Sequence, residues 1–231
     1  MIHLSKRLNM VADLTEEGLP LADIGTDHGY LPVSLIQQGK IDSAYLTDIN
    51  KGPLNNALET VNLCGVKENV SLILCSGMNS LELTDCKNFS ICGMGGNLIS
   101  DILGNIPFPL KVGTNFALQP MSHEEDLREF LALNGFIIKK ETLIKDSGRI
   151  YLGMKVIYEG EAFTPTPEYC MTGELLRTCN NRELKNNYFN KKLGACKTRY
   201  NALKKLPEKS ESMLKELEKL QGLITLLENL D

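Results

Sequence analysis

Over its first 160 residues the chain alternates short apolar runs with stretches whose apolar positions recur at helical spacing. The runs predict strands at 20–24 (Pro-Leu-Ala-Asp-Ile), 44–48 (Ala-Tyr-Leu-Thr-Asp), 70–75 (Val-Ser-Leu-Ile-Leu-Cys), 89–92 (Phe-Ser-Ile-Cys) and 115–119 (Asn-Phe-Ala-Leu-Gln). Helical patterns fall between and around them, near 5–14, 30–38, 53–64, 96–104 and 123–134. Strands alternating with helices predict an α/β fold, a parallel sheet covered on both faces by its crossover helices. The last two runs differ. Phe136–Lys145 and Arg149–Tyr158 are joined by the polar turn Lys145-Asp-Ser-Gly-Arg149, which predicts an antiparallel pair at the sheet edge.

Two prolines within Gly160–Pro167 break the pattern and place a boundary near 160–170, dividing the chain into 1–160 and 161–231. Beyond it Phe189, Leu193, Cys196, Tyr200 and Leu203 follow the spacing 4, 3, 4, 3. After Pro207, Met213, Leu217, Leu220, Ile224 and Leu227 repeat that spacing. Two helices with matching seams and a short turn predict a coiled-coil-like antiparallel hairpin.

At 231 residues, 42% hydrophobic and 23% charged, the composition suits one globular domain plus an appendage. No apolar run reaches the roughly 18 residues that a membrane span needs. The first ten residues include Lys6 and Arg7 and no long apolar block, so no secretory leader is expected and the protein is read as cytoplasmic. Seven cysteines, an odd number without a C-x-x-C pair, are expected to be reduced and structural. Three histidines without metal-ligand spacing give no reason to expect a metal, and nothing calls for an obligate protein partner. Charge adds more. The net value of −4 hides a division: 1–170 carries 13 Lys and Arg against 21 Asp and Glu, whereas 177–205 carries nine basic residues against Glu183 alone. A polyanion docking beside an acidic domain is the partner such a distribution suggests.

In an open parallel sheet, ligands lie beyond the carboxyl ends of the strands where strand order reverses. The candidate residues fall at such ends. Asp23-x-Gly25-x-Asp27-x-Gly29 follows the first strand; its glycines permit a sharp turn and close backbone approach to a ligand. This is not the dinucleotide fingerprint G-x-G-x-x-G, which argues against a nicotinamide dehydrogenase. Asp48 closes the second strand, where a carboxylate can accept from two ribose hydroxyls. Ser76-Gly77-Met78 closes the third, Cys92-Gly93-Met94-Gly95-Gly96 the fourth and Gln119-Pro120 the fifth. Each has a plainer reading alone: Asp27 as a helix cap, His28 as a surface histidine, Met94 as core filler. In succession they offer, strand by strand, what a nucleoside ligand requires.

Leu4-Ser-Lys-Arg-Leu8, Ala22-Asp-Ile-Gly-Thr-Asp-His-Gly-Tyr-Leu-Pro32, Gly93-Met-Gly-Gly96 and Leu118-Gln-Pro120 together resemble the bacterial tRNA (adenine-N1)-methyltransferase family that modifies adenine 22. The resemblance extends over essentially the whole chain. It implies a Rossmann-like class I methyltransferase domain with S-adenosyl-L-methionine as cofactor, followed by a coiled-coil-like domain that helps hold tRNA. By the same resemblance, Asp23, Gly25, Asp27, His28, Gly29 and Tyr30 would surround the methionine part of the cofactor. Asp48, with Ile49 and Asn50, would hold its ribose, and Gly77 and Met78 its adenine. Gly93, Met94 and Gly95 would shape the cleft where cofactor and target base meet. Arg7, Gln119, Arg177, Arg182, Lys185, Lys191, Lys192, Lys197 and Arg199 would contact RNA. Met121-Ser122 stand where the family pattern has an asparagine after Gln119-Pro120, and Ser76-Gly77-Met78 where an acid is common.

Methylating adenine N1 makes a cationic base, so a carboxylate near the ring would stabilise the developing charge and could accept a proton from the N6 amine. Asp27 and His28 are the catalytic candidates, with His28 positioning Asp27 or sharing proton traffic; binding the cofactor's ammonium group is the rival role for Asp27. Tyr30, Met94 or Phe116 could touch the extruded base, Phe116 fitting the core better. Two other functions stay open: a methyltransferase acting on another RNA, a protein or a small molecule, which has no need of a basic hairpin, and a noncatalytic tRNA-binding protein.

Overall fold

The computed structural model describes residues 2–230. After α1 (Lys6–Ala12) the chain runs β1 (Leu21–Ile24), α2 (Tyr30–Gln37), β2 (Ala44–Asp48), α3 (Lys51–Leu63), β3 (Val70–Leu74), β4 (Asn88–Met94), α4 (Gly96–Gly104), β5 (Thr114–Pro120) and α5 (Glu124–Leu133). There follow β6 (Phe136–Asp146), β7 (Arg149–Tyr158), α6 (Pro167–Thr172), α7 (Leu175–Thr178), α8 (Arg182–Lys204) and α9 (Glu211–Glu228). The five strands and five helices read from the α/β pattern stand within a few residues of their predicted bounds. The short helices α6 and α7 are additions, too brief for a periodic signal.

The strands form one sheet in the order β3-β2-β1-β4-β5-β7-β6. β1 to β5 are parallel, and β7 pairs antiparallel with both β5 and β6. The hairpin predicted at the edge is there, with its second strand docked on β5 and its first outermost. Order reverses between β1 and β4, which places the crevice at the ends of those two strands.

Alternation along each strand builds two cores. Ala22, Ile24, Phe89, Ile91, Phe116 and Leu118 serve one face, covered by α4 and α5. Leu21, Ala44, Leu46 and Ala117 serve the other, with Val11, Val33, Leu35 and Val61 from α1 to α3. Phe116 is fully buried against Phe89 and Phe136, so it belongs to the core and not to a base-binding surface.

The segment after β7 does not stand apart from the sheet. Met171, Leu175, Cys179, Leu184, Tyr188, Phe189 and Leu227 join the same core as Phe89 and Phe116. A buried polar knot fastens this segment. Arg128 of α5 donates from Nε to Glu141 of β6 (2.9 Å) and from Nη1 to the carbonyls of Cys170 and Met171 (2.9 and 3.1 Å). The second Glu141 oxygen accepts from the Glu174 amide at 2.6 Å. Burial works against the Arg128 charge, but Glu141 beside it prevails and holds the guanidinium above its ordinary pKa. Gly173, at φ +53°, lies so close to both side chains that any Cβ would overlap them.

Farther out, α8 and α9 pair along the expected seams, and none of the ten seam residues is exposed. No described helix is long and apolar enough to cross a membrane.

Candidate active site

The turn after β1 is held to the neighbouring strand by its backbone. Gly25 and Thr26 donate their amides to the Thr47 carbonyl at 2.9 and 2.8 Å. Gly25 (φ +73°) and Gly29 (φ +66°) are both left-handed, and neither has room for a side chain. A Cβ on Gly25 would overlap the Met94 methyl, and one on Gly29 would come within 2.7 Å of Leu46. Local conformation and close packing therefore both demand glycine here.

Between this turn and the end of β4 lies a cavity of about 490 Å³, lined by Asp23–Leu31, Cys92–Met94, Arg7 and Leu8. Asp23 is at its floor. It is buried and accepts from the Ser90 hydroxyl at 2.6 Å; burial pushes its pKa up, and that hydrogen bond offsets the rise in part. The Thr26 hydroxyl beside it is buried without a hydrogen-bond partner. Asp27 and His28 stand at the mouth, with 72% and 42% of their side chains exposed and a 3.4 Å separation between His28 Nε2 and the Asp27 carboxylate. The His28 ring stacks on Tyr30 at 5.0 Å, nearly parallel. Capping does not explain Asp27, because α2 is capped by Gly29 without any side-chain bond.

The remaining strand ends lie in register beside this turn. Asp48 turns back to accept from the Asn50 amide at 2.7 Å, leaving Ile49 and Asn50 exposed. The Thr47 hydroxyl donates to the Gly77 carbonyl at 3.4 Å, tying β2 to the loop after β3. Met78 is different: its side chain is 1% exposed and lies in the core. Gly77 turns at φ +56° and sends the next apolar side chain inward, so the Met78 side chain does not offer the adenine contact expected of it.

The turn after β4 is stitched to the one after β5. Met121 donates its amide to the Met94 carbonyl (2.8 Å), and Gly96 donates to Ser122 (2.7 Å). Gly95 and Gly96 permit this approach; a Cβ on Gly96 would strike the His123 carbonyl. His123 itself is held at φ +55°, a conformation uncommon outside glycine.

Gln119 corrects an expectation. It is fully buried, accepting from Arg7 Nη1 at 2.7 Å and donating to the Pro120 carbonyl at 2.9 Å. It fixes Arg7 in the cavity wall and does not itself face solvent. In the basic segment, several of the cations are paired with acids. Lys192 is bound by Glu124 and Glu125 at the start of α5, Lys197 by Glu228, Arg199 by Glu216 and Arg177 by Glu174. Burial opposes the Lys192 charge, but the Tyr188 oxygen and the two carboxylates outweigh it. Arg182, Lys185 and Lys191 have no carboxylate partner among the described residues. The sequence count missed these pairings because their acids lie on α5, in the turn before α7 and on α9, outside the basic run. Ser90, which bonds Asp23, and Tyr151, beside the Arg7 guanidinium, also support the site without any motif to mark them.

A glycine cradle, a buried carboxylate beside an unpaired hydroxyl, and a ribose-type carboxylate one strand away fit a nucleoside that carries an amino-acid tail. Among known proteins, residues 4–154 match the family model described as a methyltransferase domain. The tRNA (adenine(22)-N(1))-methyltransferase of Bacillus subtilis is 31% identical over 150 residues, which is 65% of this chain and 63% of that protein, just under two thirds of its length. The structure of M. capricolum TrmK in complex with S-adenosyl-homocysteine superposes with a TM-score of 0.79 at 27% identity, covering 97% of this chain and 99% of that one. A Streptococcus pneumoniae protein solved in complex with S-adenosyl-L-methionine gives a TM-score of 0.75 at 28% identity, over 96% and 100% of the two chains. With this strand order, this glycine-bearing turn and these matches, the chain belongs to the methyltransferase domain family.

Proposed function

We propose that this protein uses S-adenosyl-L-methionine to methylate N1 of adenine 22 in tRNA. The observation that carries the reading is the cavity between the ends of β1 and β4, with Asp23 and the Thr26 hydroxyl on its floor and Asp27 exposed at its mouth. The B. subtilis relative named for this reaction supports it, as do the relatives solved with S-adenosyl-L-methionine and S-adenosyl-homocysteine.

The cofactor supplies an electrophilic methyl group on a sulfonium. Asp23 and Thr26 would bind its amino-acid end, Asp48 its ribose, and the backbone at Gly77 its adenine. Asp27, unpaired except for His28, would face the base that becomes cationic, while the stack on Tyr30 holds His28 in place behind it. Adenine N1 lies on the Watson–Crick edge, so the target must be unpaired or extruded. Residues 161–231 would dock the tRNA through Arg182, Lys185 and Lys191, in the cytoplasm where tRNA resides. The cations already paired with acids would contribute mainly by shaping the hairpin.

Incubation with labelled S-adenosyl-L-methionine and tRNA lacking the modification, followed by nucleotide mapping, tests this. Label on N1 of adenine 22 is the expected result. Label at another nucleotide, or none on tRNA, overturns it.

A further inference from the structure

A second cavity, of about 420 Å³, lies beside the first, between α8, the start of β7 and the turn after β5. Its size is within the roughly 300–1,000 Å³ typical of ligand pockets. We propose that it is a subsite for the nucleotide next to the extruded target base, binding that nucleotide's phosphate through Arg149 and Lys191 and its base against Tyr151 and Met121. The inference rests on the tRNA reading above and extends it to a defined place on the surface.

Three observations converge on this occupant. Arg149 and Lys191 line the cavity from two separate elements and have no carboxylate partner among the described residues. The neighbouring Lys192 shows the contrast, since both Glu124 and Glu125 bind it and leave it no charge to offer a ligand. Two cations without carboxylate partners lining one cavity fit a phosphate. Next to them, the half-buried Tyr151 ring and Met121, 44% exposed, give an apolar shelf of the kind on which a base stacks. Finally, the two cavities share a wall. The Arg7 guanidinium, in the first cavity, lies 5.8 Å from the centre of the Tyr151 ring in the second. The Met94 carbonyl on one side accepts from the Met121 amide on the other. A strand with one base in the first cavity passes this wall with its next nucleotide over the second.

The test compares two double variants on unmodified tRNA transcripts. Arg149→Ala with Lys191→Ala is expected to raise KM for tRNA about tenfold or more and to flatten the dependence of log Kd on log salt by about 1. Its S-adenosyl-L-methionine affinity, read by calorimetry, should equal that of the wild type. Lys204→Ala with Lys205→Ala removes the same charge from the far end of α8 and should change KM much less. Tyr151→Leu, which keeps the wall but removes the stacking face, should weaken tRNA on the order of tenfold. A photoreactive nucleotide next to the target should crosslink to the peptide holding Tyr151 or Met121. Wild-type turnover together with an unchanged KM and salt slope in the first double variant overturns the subsite and leaves the parent reading standing. Equal losses in both double variants reduce the cavity to general charge attraction and also overturn it. A wild-type protein that binds S-adenosyl-L-methionine but leaves tRNA unlabelled overturns the parent reading, and the subsite with it.

Discussion

Two side-chain pairs of this molecule, each with one carboxylate, contrast in almost every respect. Asp27 and His28 stand at the mouth of the cavity, largely exposed, 3.4 Å apart and supported mainly by the Tyr30 ring. Arg128 and Glu141 are wholly buried, 2.9 Å apart, and bonded on several further sides by backbone groups of α6 and the turn before α7. An exposed pair adds little to stability, generally about 0–1 kcal/mol, because water screens it. A buried pair must replace the hydration it lost, and the Cys170, Met171 and Glu174 backbone does so for Arg128 Nη1 and Glu141, leaving Arg128 Nη2 without a partner among the described residues. The first arrangement leaves a carboxylate free to meet a ligand. The second uses a carboxylate to hold the C-terminal helices against the sheet. Both pairs contain a carboxylate; the setting assigns its task.

Glu141→Ala is the most severe way to test the buried side of this contrast. It strands the Arg128 charge in the core and is expected to cost about 3–5 kcal/mol, read by denaturant unfolding. Replacing both partners with Arg128→Met and Glu141→Leu should recover much of that loss, since no orphaned charge remains. A single variant as stable as the wild type would show that the knot does not secure the helices.

Asp27→Ala tests the exposed side. Stability should move by no more than about 0.5 kcal/mol, as at other surface positions. Turnover on tRNA should fall about 10²–10⁴-fold, the range for losing a general acid or base. Retained S-adenosyl-L-methionine affinity places Asp27 at the reacting base; lost affinity moves it to the cofactor's ammonium group.

Asp23→Asn gives the smallest effect and sharpens the contrast between the two settings. Burial raises the Asp23 pKa, so folding favours its protonated form. Its contribution is therefore fully present below the ordinary carboxylate pKa and is lost as pH rises through the elevated folded value. At neutral pH the ionised group costs stability, and the asparagine variant should be as stable as the wild type or more so, while binding S-adenosyl-L-methionine less well. The stability difference between the two proteins should shrink on acidification. A variant that is less stable at neutral pH would mean that Ser90 and its surroundings fully compensate the charge.

Much of the site was legible because it sits at strand ends, and strand ends are marked by the switch from apolar runs to glycine and acid. Asp23, Gly25, Asp27 and Gly29 could be placed on one turn from that switch alone. Met78 could not, since the sequence does not tell which way a side chain leaves a left-handed glycine turn. Gln119 at the end of β5 was expected to contact RNA, yet it is buried and anchors Arg7 from more than a hundred residues away. The nine cations of 177–205 read as one patch, but Lys192, Lys197, Arg199 and Arg177 each meet an acid.

The chain's periodicities determined the α/β order, the edge hairpin, the helical hairpin with its matched seams and the sequence of chemistry at successive strand ends. These are local: hydrophobic spacing and glycine conformation act over a few residues and are written in consecutive letters. Tertiary structure alone decided which charges remain free, how Arg128 and Glu141 bind the C-terminal helices to the sheet, and that two cavities share the wall between Arg7 and Tyr151. Those outcomes depend on electrostatic and packing partners distant in sequence, and a charge has no fixed role until folding determines whether water or an opposite charge surrounds it.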